Sequence, residues 1–304
     1  MKANNKMWLV FAIVAGLCWG VWGVLAKLIA EDVSPYLNHV LFTIGMLFTV
    51  PFVLKKCRVK KLNKKGLMWG IIAGSFALIG NLGVYYAFSS GGEASIVIPL
   101  TNLYPIVTIL IAILLLKERL NLYNVLGLLL ALPAIILLSG YSLLFTNPGE
   151  FFSTVQLKSW LWFSLVAFAC WGIFSAAQKI TTNHVEAEWA YAIFILTSVV
   201  IAVGFLLSGK AGSVLSTRST VIGSIAGMLN GLGVLASFAA YRAEGKASAV
   251  TTVAGALQPV FTIILAITFL NENFTALEGT GIGLAITGAL LLSYETPKQP
   301  QVTL

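Results

Sequence analysis

Apolar residues run through this chain in long blocks broken by short polar punctuation, and ten blocks of about 19–24 residues stand out. They fall near 7–29, 36–54, 66–89, 94–116, 122–141, 159–180, 187–208, 219–241, 247–270 and 277–295. Each is long enough to cross a hydrocarbon core of about 30 Å as a helix, so the pattern predicts ten spans, numbered 1 to 10 in chain order. Most connections are short, which makes neighbouring spans antiparallel. The two longer links are the basic stretch 55–65 (KKCRVKKLNKK) and the turn-rich stretch 142–158 around Asn147-Pro148-Gly149.

The blocks also repeat. Residues 8–27 (WLVFAIVAGLCWGVWGVLAK) lie over 160–179 (WLWFSLVAFACWGIFSAAQK), with Trp8/Trp160, Cys18/Cys170, Trp19/Trp171, Gly20/Gly172 and Lys27/Lys179 identical at constant spacing. A second echo sets 101–121 over 255–275 and pairs Pro105 with Pro259, Thr108 with Thr262 and Glu118 with Glu272. The expected organisation is therefore a first five-helix repeat over 1–145, a linker over 146–158 and a second five-helix repeat over 159–304. Because five is odd, the second repeat is expected to be inverted in the membrane. Two interlocked repeats that can rock about a central site are the architecture of secondary transporters.

Composition supports the membrane reading. The chain is 58% hydrophobic and 10% charged, with a mean hydropathy of +0.92; soluble domains are nearer a quarter charged. The first span is longer than the apolar core of a leader and has a copy at 160–179, so it is read as a span.

Loop charge supplies a topology. Lys55, Lys56, Arg58, Lys60, Lys61, Lys64 and Lys65 crowd the link between spans 2 and 3, which places that link and both termini on the cytoplasmic side. The second repeat exchanges the pattern: Lys117 and Arg119 between spans 4 and 5 become Asn271 and Asn273 between spans 9 and 10. A protein integral to a bacterial cytoplasmic (inner) membrane is expected. The net charge of +8 is concentrated in this topological signal and adds attraction to anionic lipid, with no soluble domain to bind nucleic acid.

Several polar and aromatic residues lie within the spans. Trp19, Trp22, Asn81, Tyr85, Asn102, Tyr104, Trp171, Gln178, Asn230 and Gln258 are the candidate lining of a substrate cavity. For each, plain interhelical hydrogen bonding or packing is the competing role. The frame repeats but this decoration does not: Asn102 faces Ala256 and Tyr104 faces Gln258 in the repeat alignment. Such asymmetry suits an asymmetric small molecule. Pro105 and Pro259 place a bend at one position in each repeat, as a gate or as a tolerated kink.

The chain has eleven carboxylates, all near predicted helix ends. Glu118 and Glu272 precede spans 5 and 10, where a carboxylate complements the positive end of the helix that follows. Lys27 and Lys179 end spans 1 and 6, as snorkelling cations or as groups facing the cavity. With no acid at mid-membrane, facilitated diffusion or exchange fits better than proton antiport. His39 and His184 form no metal or catalytic motif, so neither an enzyme nor a cofactor is expected. A non-transporting membrane scaffold or receptor is the alternative class. Glycines 279, 281 and 283 in span 10 offer a face for a homodimer or for internal packing.

These features resemble the EamA-type carriers of the drug/metabolite transporter superfamily. The resemblance rests on Cys-Trp-Gly at 18–20 and 170–172, on P-x-x-T-x-x-x-A-x-x-x-L-x-E at 105–118 and 259–272, and on Gly127 and Gly281 in the helices that follow. It implies an all-α fold of ten transmembrane helices in two inverted five-helix repeats. It also implies a cavity lined by spans 1, 3, 4, 6, 8 and 9, and outward or facilitated movement of an amino acid-like solute, base or drug-like compound by alternating access.

Overall fold

The computed structural model describes residues 7–55, 63–116, 121–138, 158–212, 216–243 and 247–292. The predicted apolar blocks are helical where they are described, apart from turns at 48–49, at 102–104 and at some block ends. The helices are α1 (Met7–Leu28), α2 (Pro35–Leu47), α3 (Val50–Leu54), α4 (Lys64–Ser89), α5 (Ala94–Thr101), α6 (Pro105–Leu116) and α7 (Leu122–Leu138) in the first half. The second half holds α8 (Ser159–Thr182), α9 (Ala187–Leu207), α10 (Thr217–Arg242), α11 (Ala247–Leu270) and α12 (Ala276–Leu292). Among the described residues six helices are long and apolar enough to cross a membrane.

Local chemistry explains the boundaries. Ser34 caps α2 by accepting from the Leu37 N–H, with Pro35 at the first helical position. Asn63 and Ser216 cap α4 and α10 in the same way. Thr275 and Glu278 form a reciprocal capping box at α12: the Thr275 N–H donates to Glu278 Oε2 at 2.8 Å and the Glu278 N–H donates to Thr275 Oγ1 at 3.2 Å.

Two predicted spans are broken. Span 2 divides into α2 and α3 ahead of Pro51, and span 4 divides at Asn102–Tyr104 ahead of Pro105. The two prolines paired by the repeat have unequal surroundings, because the helix breaks before Pro105 whereas α11 stays helical across Pro259. The reason is local. The first repeat carries two prolines six residues apart, and the carbonyl that Pro105 cannot engage is taken in a tighter turn by the Tyr104 N–H, which donates to Thr101 O at 3.1 Å.

The halves are interleaved. Helix α1 packs on α10 and α11, whereas α8 packs on α4, α5 and α6. The α1–α10 seam is antiparallel: Ala12 clusters with Ala240 and Ala15 with Ala236. The α8–α4 seam repeats this, with Gly83 against Ala167 and Gly92 against Trp160. Helix α2 lies along α10, and α9 lies along α4. Helices α7 and α12 pack on each other, Gly281 meeting Leu137 and Leu138 and Gly288 meeting the Gly127 carbonyl. Gly281 is therefore used internally, while a Cβ at Gly283 would meet open space. On α7, Leu122, Leu129 and Leu132 are 70%, 59% and 62% exposed, an outer face fit for lipid.

Two bodies result, neither of them a half of the chain. One holds α1, α2, α10 and α11; the other holds α4, α6, α8 and α9; the short α5 lies between them, packing on α11 as well as on α8. Between them, α2 meets α9 through Thr43 Oγ1 to Ser198 Oγ at 2.7 Å and Thr49 Oγ1 to Tyr191 Oη at 2.8 Å.

Candidate functional site

Tryptophan–glycine contacts build the centre of the molecule. The Trp171 ring of α8 lies where a Cβ on Gly80 of α4 would be, and Trp19 of α1 does the same at Gly233 of α10. In both seams the small residue lets a bulky ring lie against the facing helix. The halves then diverge. Trp171 Nε1 donates to Asn81 Oδ1 at 3.1 Å, whereas the residue after Gly233 is Val234, which has no acceptor to offer Trp19.

Around Trp171 several of the candidate aromatic residues pack together. Trp22 lies 6.0 Å from Trp171 and 6.3 Å from Tyr85, ring centre to ring centre. Trp19 and Tyr104 pack against the same core. Thus Trp19, Trp22, Asn81, Tyr85, Tyr104 and Trp171 converge. Asn102 closes the broken span: its Nδ2 donates to Ile98 O at 2.9 Å. Gln258 enters next to the first tryptophan pair, its carbonyl against Gly20. Gln178 and Asn230 are buried on α8 and α10.

Some hydrogen-bonding capacity in this region is unused. Asn102 Oδ1 is enclosed without a partner, and Trp22 Nε1 and the Tyr85 hydroxyl, although neighbours, make no hydrogen bond of standard geometry. A buried polar atom without a partner costs about 1–3 kcal/mol, so this capacity among the candidate lining residues favours a site that a ligand completes. The amides of Gln178, Asn230 and Gln258, 8%, 6% and 6% exposed, add donors and acceptors. Among the described residues Lys27 reaches this core at its Phe88 edge, its Nζ lying 6.0 Å from the centre of that ring.

Charge collects at one end. Lys27 Nζ donates to Phe88 O at 3.3 Å, where α4 terminates, so this lysine neutralises a helix C-terminus. The side chain of Lys179 and the whole of Glu118 lie outside the described residues. Glu272 corrects the expectation drawn for it. Its carboxylate accepts from the N–H groups of Ala94 at 2.9 Å and Ser95 at 2.8 Å, so it caps α5 in the other repeat rather than the helix that follows it. Asn271, at φ 53°, turns the chain back over the bundle and aims Glu272 at α5, leaving Glu278 to cap α12. Glu93 stands directly before α5. Burial first, then the Glu272 and Glu278 carboxylates, push the Glu93 carboxyl above the usual carboxylate range, and the Lys27 ammonium pulls the other way.

Two features escaped the sequence reading although signals for them existed. Thr108 and Thr262 are equivalent in the repeat alignment, and each donates to the glycine carbonyl of a Cys-Trp-Gly. Thr275-Ala-Leu-Glu278 has the spacing of a capping box.

The model of the EamA-like transporter family matches residues 6–140 and again residues 158–294. The chain belongs to the EamA-like transporter family. It is accordingly an integral membrane protein of transporter type built from two copies of one family unit. The uncharacterized protein MJ1333.1 of Methanocaldococcus jannaschii is 32% identical over 131 residues, which are 43% of this chain and 95% of that protein. That relative is about one repeat long. A crystal structure with 19% sequence identity superposes with a TM-score of 0.61, covering 95% of this chain and 96% of its own, and shows the same fold.

Proposed function

We propose that this EamA-like protein is a secondary transporter that carries a small, net-uncharged solute across the membrane by alternating access. The observation that carries this reading is the buried polar capacity of three candidate lining residues: Asn102 Oδ1 has no partner, and Trp22 Nε1 and the Tyr85 hydroxyl make no hydrogen bond of standard geometry. Trp22 and Tyr85 lie in a core shared by both repeats, and Lys27, which reaches the Phe88 edge of that core, is already engaged by the Phe88 carbonyl. A charged solute entering there would lose hydration without a counter-ion, whereas an uncharged or zwitterionic one can be held by amides, a phenol and indole N–H groups. Aromatic walls add a preference for solutes with a flat apolar face. Amino acid-like solutes, bases and drug-like compounds meet this description.

Ten crossings with both termini in the cytoplasm, the second repeat inverted, account for the basic 55–65 loop and for the antiparallel α1–α10 and α8–α4 seams. The bodies that rock are the crosswise pair described above, because the long seams of α1 and α8 run to the opposite half. The α2–α9 hydroxyl contacts serve as their pivot.

Thermal-shift measurements on the purified protein against amino acids, bases, sugars and cationic drugs test this. A ligand that binds the folded state raises its melting temperature by mass action. A saturable shift with a net-uncharged member, reduced by Asn102→Ala or Trp22→Phe, supports the reading. Shifts only with ionic solutes would contradict it.

A further inference from the structure

Two polar ties leave the first body at one end of the bundle. Glu272 follows α11 in that body and seats its carboxylate on the Ala94 and Ser95 N–H groups of α5, the half-helix between the bodies, at 2.9 and 2.8 Å. Lys27 ends α1 in the first body and donates to the Phe88 carbonyl of α4 in the second. Both sit at the end away from the basic 55–65 loop, since α2 and α3 carry the chain from this end to that loop. We infer that Glu272 is the latch of this end of the transporter, holding α11 against the half-helix α5 until that end opens. This rests on the transporter reading above.

Several features suit Glu272 to that role. It is only 8% exposed, so water competes weakly for its carboxylate. The N–H groups it holds are the unsatisfied first donors of α5, where the helix dipole also favours a negative charge. Helix α5 has eight residues and ends at the break before Pro105, so anchoring its first turn places the segment that presents Asn102. Gripping the start of α5 therefore couples the end of the molecule to the candidate site. The seat can also be left. Glu93 feels the Glu272 carboxylate strongly, with Glu278 adding to the repulsion and Lys27 opposing it. Like charges weaken the closed arrangement enough for it to alternate with an open one.

The test uses the full chain in right-side-out membrane vesicles, with Cys18, Cys57 and Cys170 replaced by serine and Gln258→Cys as the reporter. An impermeant maleimide is added from outside and the modification rate is measured. Glu272→Gln keeps the shape but replaces one acceptor oxygen by a donor. Ala94→Pro removes one N–H from the seat at the first helical position, where proline is accommodated and where Glu93 already has the extended backbone that precedes proline. Each variant should raise the outside modification rate roughly tenfold, the scale of one lost charge-assisted hydrogen bond. Should one variant fail to fold, the other decides. Rates within twofold of the parent in folded protein would overturn the latch. A reporter never modified from either face, in parent or variants, would instead overturn the transporter reading and the latch with it.

Discussion

Thr262 Oγ1 donates a hydrogen bond to the carbonyl oxygen of Gly20 at 3.0 Å, across 242 residues of sequence. Its repeat partner Thr108 makes the same bond to Gly172, also at 3.0 Å. Each glycine has room for this approach because it lacks a Cβ: one on Gly20 would meet Phe261 and the Gln258 carbonyl, and one on Gly172 would meet Val107 and the Tyr104 carbonyl. The repeat is thus a symmetry of contacts as well as of letters, and both copies of the contact join one half of the chain to the other.

Replacing Thr262 or Thr108 by valine keeps the shape and removes the donor. Each change is expected to cost about 0.5–1 kcal/mol, the scale of interhelical hydrogen bonds within membranes, read as a lower melting temperature. Because the sites lie in separate seams, the double variant should show the sum of the two losses.

Glycine substitutions should separate sharply. At Gly227 a Cβ runs into the Phe42 backbone carbonyl, and at Gly80 into the Trp171 ring. Alanine at either is expected to destabilise by about 1–3 kcal/mol through forced separation of the seam. At Gly204 no atom lies within 4 Å, and alanine there should be neutral or stabilising by up to about 1 kcal/mol. Melting temperatures of the three variants check this ordering.

Topology can be read from a single thiol. Cys57 belongs to the basic loop outside the described residues, whereas Cys18 is half-buried and Cys170 buried. An impermeant maleimide should leave Cys57 unmodified in intact cells and modify it in inverted vesicles. The opposite result would reverse the orientation of the whole protein.

Closure at the Glu272 end should depend on pH with a defined sign. The closed arrangement raises the proton affinity of Glu93 by burial and by the Glu272 and Glu278 carboxylates, against the opposing Lys27. The closed state therefore binds more protons than an open state in which these groups separate. Lowering pH through the Glu93 titration favours closure, and raising it favours opening. Outside modification of the Gln258→Cys reporter should accelerate as pH rises, after correction for thiolate content. Glu93→Gln should remove that dependence and hold the slow rate.

The helical character of the apolar blocks and their pairing into two repeats were legible in the sequence, because apolar length and repeated letters report them directly. The partners across the seams were not. Repetition shows that Glu272 and Glu118 are equivalent but is silent on which helix start a carboxylate reaches, and that depends on the left-handed turn at Asn271. The unequal fates of Pro105 and Pro259 were hidden for a related reason: a proline marks where a helix has to adjust, while neighbouring residues such as Pro99 and Asn102 determine whether it breaks.

The sharpest test of the account asks which helices move as one body. Crosslinking Ala15→Cys to Ala236→Cys joins α1 to α10, in different halves but in one body, where the two residues share a small core cluster. Crosslinking Tyr36→Cys to Tyr86→Cys with a short cleavable thiol reagent joins α2 to α4, in one half but in different bodies, where the two native rings lie 5.8 Å apart. Exchange of the solute identified by thermal shift is measured in proteoliposomes before and after crosslinking. The account predicts that the first crosslink leaves exchange intact and the second arrests it, with recovery on cleavage of the link. Arrest by the first crosslink and free exchange with the second would mean that the halves of the chain are the moving bodies, contradicting it.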